Sequence, residues 1–253
     1  MMIRVGLLGC GNVGRIIAKE HVGVEIVALH DRILERAEEA ARLCNAVVHR
    51  DFASFVKADM DIVVEAASVA AVREHAGEIL GNGKDLVILS VGALADRDFL
   101  DRIISLARAK GRRIRIPSGA IVGLDNLKVG RIAPMEKLLL RTTKSPESLN
   151  IRADRRMMIF SGKANDCIRE FPKNINVAVA LGLAAGRDAD VEIWIDPEVD
   201  QNIHEIIAEG SFGEIFIRVE NVPSPDNPAT SYLAALSVLT LLRDLNEPLV
   251  VGT

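Results

Sequence analysis

Between Ile3 and Gly14 the chain runs apolar and then turns on glycine. Ile3-Arg4-Val5-Gly6-Leu7-Leu8 leads directly into Gly9-Cys10-Gly11-Asn12-Val13-Gly14. A short strand that feeds a G-x-G-x-x-G loop and then opens a helix commits this segment to a βαβ unit with a phosphate-binding helix N-terminus. In that pattern Gly9 permits the tight turn, Gly11 lets backbone approach a pyrophosphate, and Gly14 lets helix and strand pack closely. The helix opens at Asn12 and Val13, whose end of the helix offers unpaired N–H groups and a partial positive charge to an anion.

A glycine trio alone is weakly selective, and the next strand strengthens it. Val24-Glu25-Ile26-Val27-Ala28-Leu29-His30 ends on Asp31, 20 residues after Gly11, where the fingerprint places a carboxylate on the adenosine ribose hydroxyls. Arg32 follows and suits a 2′-phosphate, so NAD is favoured and NADP stays open.

The 253 residues suffice for a substantial core in one large domain or two modest ones. A net charge of −4 with interspersed acids and bases leaves no basic footprint for nucleic acid. No apolar run reaches the ~18–20 residues needed to cross a bilayer, and no charged-then-apolar segment opens the chain, so a cytoplasmic location is expected. Cys10, Cys44 and Cys167 are odd in number and widely spaced, which points to neither a disulfide framework nor a metal site.

Strand and helix patterns alternate up to Pro117, the grammar of a parallel sheet. Beyond it, strands are expected at 137–143, 156–160, 191–195, 203–209 and 214–220. Helical stretches appear only around 163–170 and 175–185, an α+β pattern. A last helix is expected over 228–245, capped by Asn227 with Pro228 in its first position. The expected fold is α/β: a Rossmann-type parallel-sheet domain (1–117), an α+β domain with a mostly antiparallel sheet (118–223), and a C-terminal helix (224–253) returning to the first domain.

Ligands of open parallel sheets sit beyond the carboxyl ends of the strands. Three strand ends qualify: Ala66-Ala67-Ser68, Ser90-Val91-Gly92-Ala93 and Pro117-Ser118-Gly119-Ala120. All are small, which suits a lining for a flat nicotinamide, although Ser68 and Ser90 are also ordinary turn residues. Reactive groups are therefore sought in the second half. His21, His30, His49 and His75 lie in the nucleotide half, where a lone histidine is most often solvated or capping. His204 instead enters a strand behind a polar loop and shares a face with Asn202, an amide placed to hold one ring tautomer. In Phe171-Pro172-Lys173-Asn174-Ile175-Asn176, Asn174 or Asn176 can cap the following helix, while Lys173 with the other suits a carboxylate substrate or the cofactor.

Read together, these segments resemble the NAD-dependent L-aspartate dehydrogenases. The matching motifs are Gly9–Gly14, Pro117–Asp125, Phe171–Ala178, Asp196-Pro197 with Asn202-Ile203-His204, and Asn221–Pro228. The resemblance implies that Ala120 and Asn176 contact the cofactor, that His204 is the catalytic residue, and that two copies form a homodimer through the second domain's sheet. It also implies oxidation of L-aspartate to iminoaspartate, which hydrolyses to oxaloacetate and ammonia or is handed to a quinolinate-forming enzyme of NAD biosynthesis. The competing readings are another two-domain oxidoreductase, of the homoserine dehydrogenase or dihydrodipicolinate reductase kind, and a non-catalytic NAD-sensing module. The last predicts a basic DNA-binding element that the sequence lacks.

Overall fold

The computed structural model describes residues 2–164, 166–167, 171, 175–224 and 227–252. The chain divides into two compact units: Met1–Pro117 with Ala234–Val250, and Ser118–Leu233 with Val251–Thr253.

In the first unit, six strands form one parallel sheet: β1 (Ile3–Leu8), β2 (Val24–His30), β3 (Val47–Val48), β4 (Ile62–Glu65), β5 (Asp85–Ile88) and β6 (Ile114–Arg115). Their order is β3-β2-β1-β4-β5-β6, so the winding direction reverses between β1 and β4. That reversal opens the crevice in which doubly wound sheets take their ligands. Val5, Leu7, Ile62, Val64 and Val87 are buried, as the inner strands of a two-faced sheet require. The crossovers are α1 (Asn12–Glu20), α2 (Leu34–Cys44), α3 (Phe52–Val56), α4 (Val69–Gly81) and α5 (Arg97–Lys110). Asp51, Ser68 and Asp96 cap α3, α4 and α5 by accepting backbone N–H groups.

The second unit carries a five-stranded sheet in the order β11-β10-β7-β9-β8. Its strands are β7 (Met135–Lys144), β8 (Met157–Lys163), β9 (Asp190–Ile195), β10 (Asn202–Gly210) and β11 (Gly213–Asn221). Only β7 and β9 run parallel; the other neighbours are antiparallel. Leu138, Leu140, Val191, Ile193, Ile206 and Ala208 point to one face, where α6 (Leu124–Leu127) and α7 (Ile175–Ala185) close the core. Alanines and Leu181 on α7 keep its backbone close to that face.

Two expectations change. The helical stretch expected around 163–170 begins one residue later: Lys163 ends strand β8, Ala164, Asp166 and Cys167 are helical, and 165 and 168–170 lie outside the described residues. The last helix, α8, spans Tyr232–Asp244 and does not start at Pro228. Instead β12 (Pro223–Ser224) and β13 (Asn227–Ser231) pair antiparallel. The end of β13 is tied down by a buried hydrogen bond from Ser231 Oγ to Asn221 Oδ1, so a tertiary contact overrides the local N-cap signal. Residues 224–233 therefore belong to the second unit, and the chain rejoins the first at Ala234. There Val238 and Leu242 pack into the core with Ile17 and Ile26, and Asn246 Nδ2 donates to Gly23 O at 2.7 Å.

Candidate functional site

The glycine loop has the geometry its spacing requires. Gly9 sits at φ +99°, and a Cβ there would lie 2.7 Å from the backbone of Ala66 and Ala67. A Cβ on Gly14 would overlap Gly9 O, so the α1–β1 approach leaves no room for one. Gly11 differs: a Cβ would meet nothing within 4 Å. Its open side is where backbone N–H groups can face a ligand. Gly11 is the N-cap of α1 and has no side chain with which to cap it, and the N–H groups of a helix's first turn are suited to an anion. The loop therefore fits a pyrophosphate.

Asp31 is locked against this loop. Its Oδ2 accepts Cys10 N–H at 2.7 Å and its Oδ1 accepts Ile33 N–H at 2.8 Å, while Gly9 N donates to His30 O at 2.8 Å. Each carboxylate oxygen retains a lone pair for a ribose hydroxyl. Arg32 is exposed beside it.

At the ends of β4 and β5 lies a residue that motif reading misses. Glu65 is 1% exposed and gathers two loops around its carboxylate. Ala67 N donates to Oε1 at 2.8 Å, Ser90 Oγ to Oε1 at 2.8 Å, Ser90 N to Oε2 at 2.9 Å and Leu89 N to Oε2 at 3.2 Å. Burial raises this carboxyl above its ordinary range, with the Ser90 and Ala67 hydrogen bonds pulling against it. Its signal was present in the sequence, a single carboxylate closing the apolar run Ile62-Val63-Val64. Ala67 and Ser68 are exposed, and Ser68 Oγ accepts Ala71 N–H at 3.1 Å as a helix cap. The Ser90 hydroxyl is committed to Glu65.

In the second unit, the register of β10 with β7 sets His204 opposite Thr142. The ring is 6% exposed, and its Nδ1 lies 3.0 Å from Thr142 Oγ1. Burial, and then the Lys144 charge, push the imidazole down from 6.5 to about 4, so it is neutral at physiological pH. Asn202 is half-buried on the same strand. The expectation that an amide beside His204 sets its tautomer is corrected, because the ring's partner is the hydroxyl of Thr142, a residue 62 positions earlier. Alternation along one strand cannot reveal a partner across the sheet. Next to this pair, Asn221 Nδ2 donates to Ala120 O at 2.9 Å, tethering the 118–121 loop to β11. Asn176 is half-buried in the first turn of α7. Lys173 and Asn174 lie outside the described residues.

The remaining histidines are committed locally. His21 Nδ1 lies 2.8 Å from Ala18 O, His30 Nδ1 2.9 Å from His49 O, and the His75 ring stacks on Phe52 at 3.8 Å. Among the described residues no cluster of three His, Cys, Asp or Glu is placed to hold a metal, and no helix is long and apolar enough to cross a membrane.

Comparison with known proteins adds to this geometry. Residues 125–245 match the family described as "Aspartate dehydrogenase, C-terminal", and residues 5–117 match "Homoserine dehydrogenase, NAD binding domain". The chain is 61% identical to an L-aspartate dehydrogenase of Methanospirillum hungatei, with 100% of both chains covered. It is 45% identical to one from Archaeoglobus fulgidus, over 98% of this chain and 99% of that one. Among solved structures, an aspartate dehydrogenase from Thermotoga maritima superposes with a TM-score of 0.87 at 31% identity, covering 100% of each chain. A Thiobacillus denitrificans homoserine dehydrogenase aligns at 17% identity and a TM-score of 0.63, a likeness of fold alone.

Proposed function

The chain belongs to the L-aspartate dehydrogenase family, and from that footing we propose that His204 is its acid–base residue. The enzyme is an NAD(P)-dependent amino-acid dehydrogenase that oxidises L-aspartate at its CH–NH2 carbon. Held by the Gly9–Gly14 loop and Asp31, NAD(P) would supply the acceptor for the hydride of that carbon. What the protein supplies is placement and proton handling.

Substrate aspartate arrives as an ammonium ion, and hydride can leave only once the nitrogen lone pair is free to form the C=N bond. A neutral imidazole accepts that proton at Nε2 and releases it to solvent, the one proton the oxidation sets free. Water then adds to the imine carbon as neutral His204 takes one of its protons, and His204 hands that proton to the amine nitrogen as the carbinolamine collapses to oxaloacetate and ammonia. The observation that carries this reading is the state of the ring: buried, hydrogen-bonded at Nδ1, and held neutral. Lys173, Asn174 and Asn202 are proposed to bind the two substrate carboxylates. Gly9, Gly11, Asn12, Val13 and Gly14 are proposed to cradle the pyrophosphate and Asp31 the ribose. Ala67, Ser68, Ser90, Ala120 and Asn176 are assigned to the nicotinamide side. Because the Asp31 carboxylate would repel a 2′-phosphate, NAD is the proposed preference.

The family's reaction belongs to NAD biosynthesis; passage of the product to a quinolinate-forming enzyme, and a cytoplasmic location, are part of the proposal. A homodimer is proposed through the sheet face of the second unit that faces away from its core, where Phe216 is 57% and Met158 46% exposed. Between these apolar rows runs a charged ladder. Arg141 pairs with Glu192 at 2.7 Å and Glu205 at 3.7 Å, and Arg218 pairs with Glu205 at 3.1 Å.

NADH absorbance with L-aspartate, homoserine and a panel of other amino acids, each with NAD and NADP, tests the reading. His204→Ala is expected to lower kcat by about 10²–10⁴-fold while NAD affinity stays within about twofold. Turnover that survives this change overturns the assignment.

A further inference from the structure

We propose that Thr142 is a positioning residue, whose hydroxyl oxygen accepts Nδ1–H of His204 and so keeps the Nε2 lone pair available as the base. The inference rests on the acid–base reading of His204 and adds the group that decides which ring nitrogen carries out the chemistry.

A neutral imidazole has one N–H and one lone pair, and the partner of each nitrogen decides which is which. In the described structure the hydrogen bond on Nδ1 is the Thr142 contact at 3.0 Å, between two side chains almost fully removed from water. A hydroxyl can donate or accept. Were Thr142 to donate, the proton of the neutral ring would sit on Nε2, leaving no base there. Protonating the ring would then set N–H against O–H across a buried contact. With Thr142 accepting, one bond serves both proton states. Nδ1–H points at Oγ1 whether Nε2 is bare or protonated, and the ring cycles without leaving a buried group unpaired.

The fold supplies the rigidity this needs. Thr142 and His204 are directly opposite in the β7–β10 register, with β7 the central strand of the sheet. Threonine is β-branched, so its χ1 is narrow on a strand and its oxygen is held where the backbone puts it. Leu138 and Leu140, four and two positions earlier on the same face, are core residues. The pattern calls for another apolar side chain at 142, and a hydroxyl there has this ring nitrogen as its partner. Lys144 extends the same face by one more step, and its charge favours the neutral ring.

The test uses the full-length protein with 15N-labelled histidine, the His204 signals assigned by their loss in His204→Gln. In the wild type near pH 7.5 the ring is expected with the proton on Nδ1 and a bare Nε2. The opposite tautomer overturns the proposal without any variant. Thr142→Val keeps the shape and removes the oxygen; it is expected to mix the two tautomers and lower kcat by about 10–100-fold. The KM for aspartate and the Kd for NADH are expected to stay within about threefold, and Thr142→Ser to recover most of the loss. Wild-type kcat and tautomer in the valine variant overturn the role of Thr142 alone, provided His204→Ala has lost turnover. If His204→Ala retains turnover, the acid–base reading falls and this inference with it.

Discussion

Nearly all of the His204 ring is removed from water, and with the Lys144 charge acting on it the folded protein holds the imidazole at about 4, against 6.5 for a free side chain. An unfolded chain binds the proton first, so the native state gains from a neutral ring above about pH 6.5 and loses that gain as pH falls towards 4. The ceiling on the effect is about 3 kcal/mol. Thermal melts of wild type and His204→Gln across pH 4–8 are expected to diverge at the neutral end and converge at the acidic end. Parallel curves contradict the depressed value. Taking the difference isolates the histidine from Glu65, whose raised carboxyl acts with the opposite sign, lowering stability as pH rises through the carboxylate range. Residue identity alone marked His204, because a polar residue entering an apolar strand is conspicuous. Thr142 and Glu65 stayed hidden for one reason. Threonine is an ordinary strand residue and a strand-end glutamate an ordinary boundary, until pairing shows what each one touches.

Among the elements, the glycine loop is the most legible, because its three glycines have separable jobs. A Cβ at Gly14 would run into Gly9 O, which is backbone and cannot swing aside, whereas one at Gly11 enters open space. Gly14→Ala is therefore expected to lower stability by about 1–3 kcal/mol in urea melts and to weaken NADH binding as α1 is pushed off β1. Gly11→Ala is expected to melt like wild type and still bind NADH at least about tenfold more weakly, since its methyl takes the side meant for the phosphates. A stability loss at Gly11 equal to that at Gly14 contradicts the division of roles. The last helix was read less well. Asn227-Pro228 is a strong local start signal, but β13 pairs with β12, Ser231 bonds Asn221, and α8 starts only at Tyr232.

For the whole molecule, the proposed dimer makes the outer face of the second unit's sheet an interior surface. Phe216 lies across from Ile207, and Ile207 across from Leu139, an apolar row beside the Arg141–Glu205–Arg218 ladder. Phe216→Asp sets a charge into that row and is expected to halve the mass seen by sedimentation or light scattering at micromolar concentration, with NADH binding retained. A wild type that sediments as one chain contradicts the dimer. Periodicity indicates that this sheet has two faces, one apolar and one mixed.

Sequence alone determined the features that repeat over short distances. These are the parallel-sheet half with its phosphate loop and Asp31, the strand run of the second half, and a family likeness written in contiguous motifs. All depend on neighbours a few positions apart, and helix and strand periods make such neighbours visible. The tertiary structure decided which side chains meet: Glu65 with Ser90, Ser231 with Asn221, and Thr142 with His204 across 62 residues. Those contacts follow from strand register and burial, which arise only when distant segments pair and exclude water together.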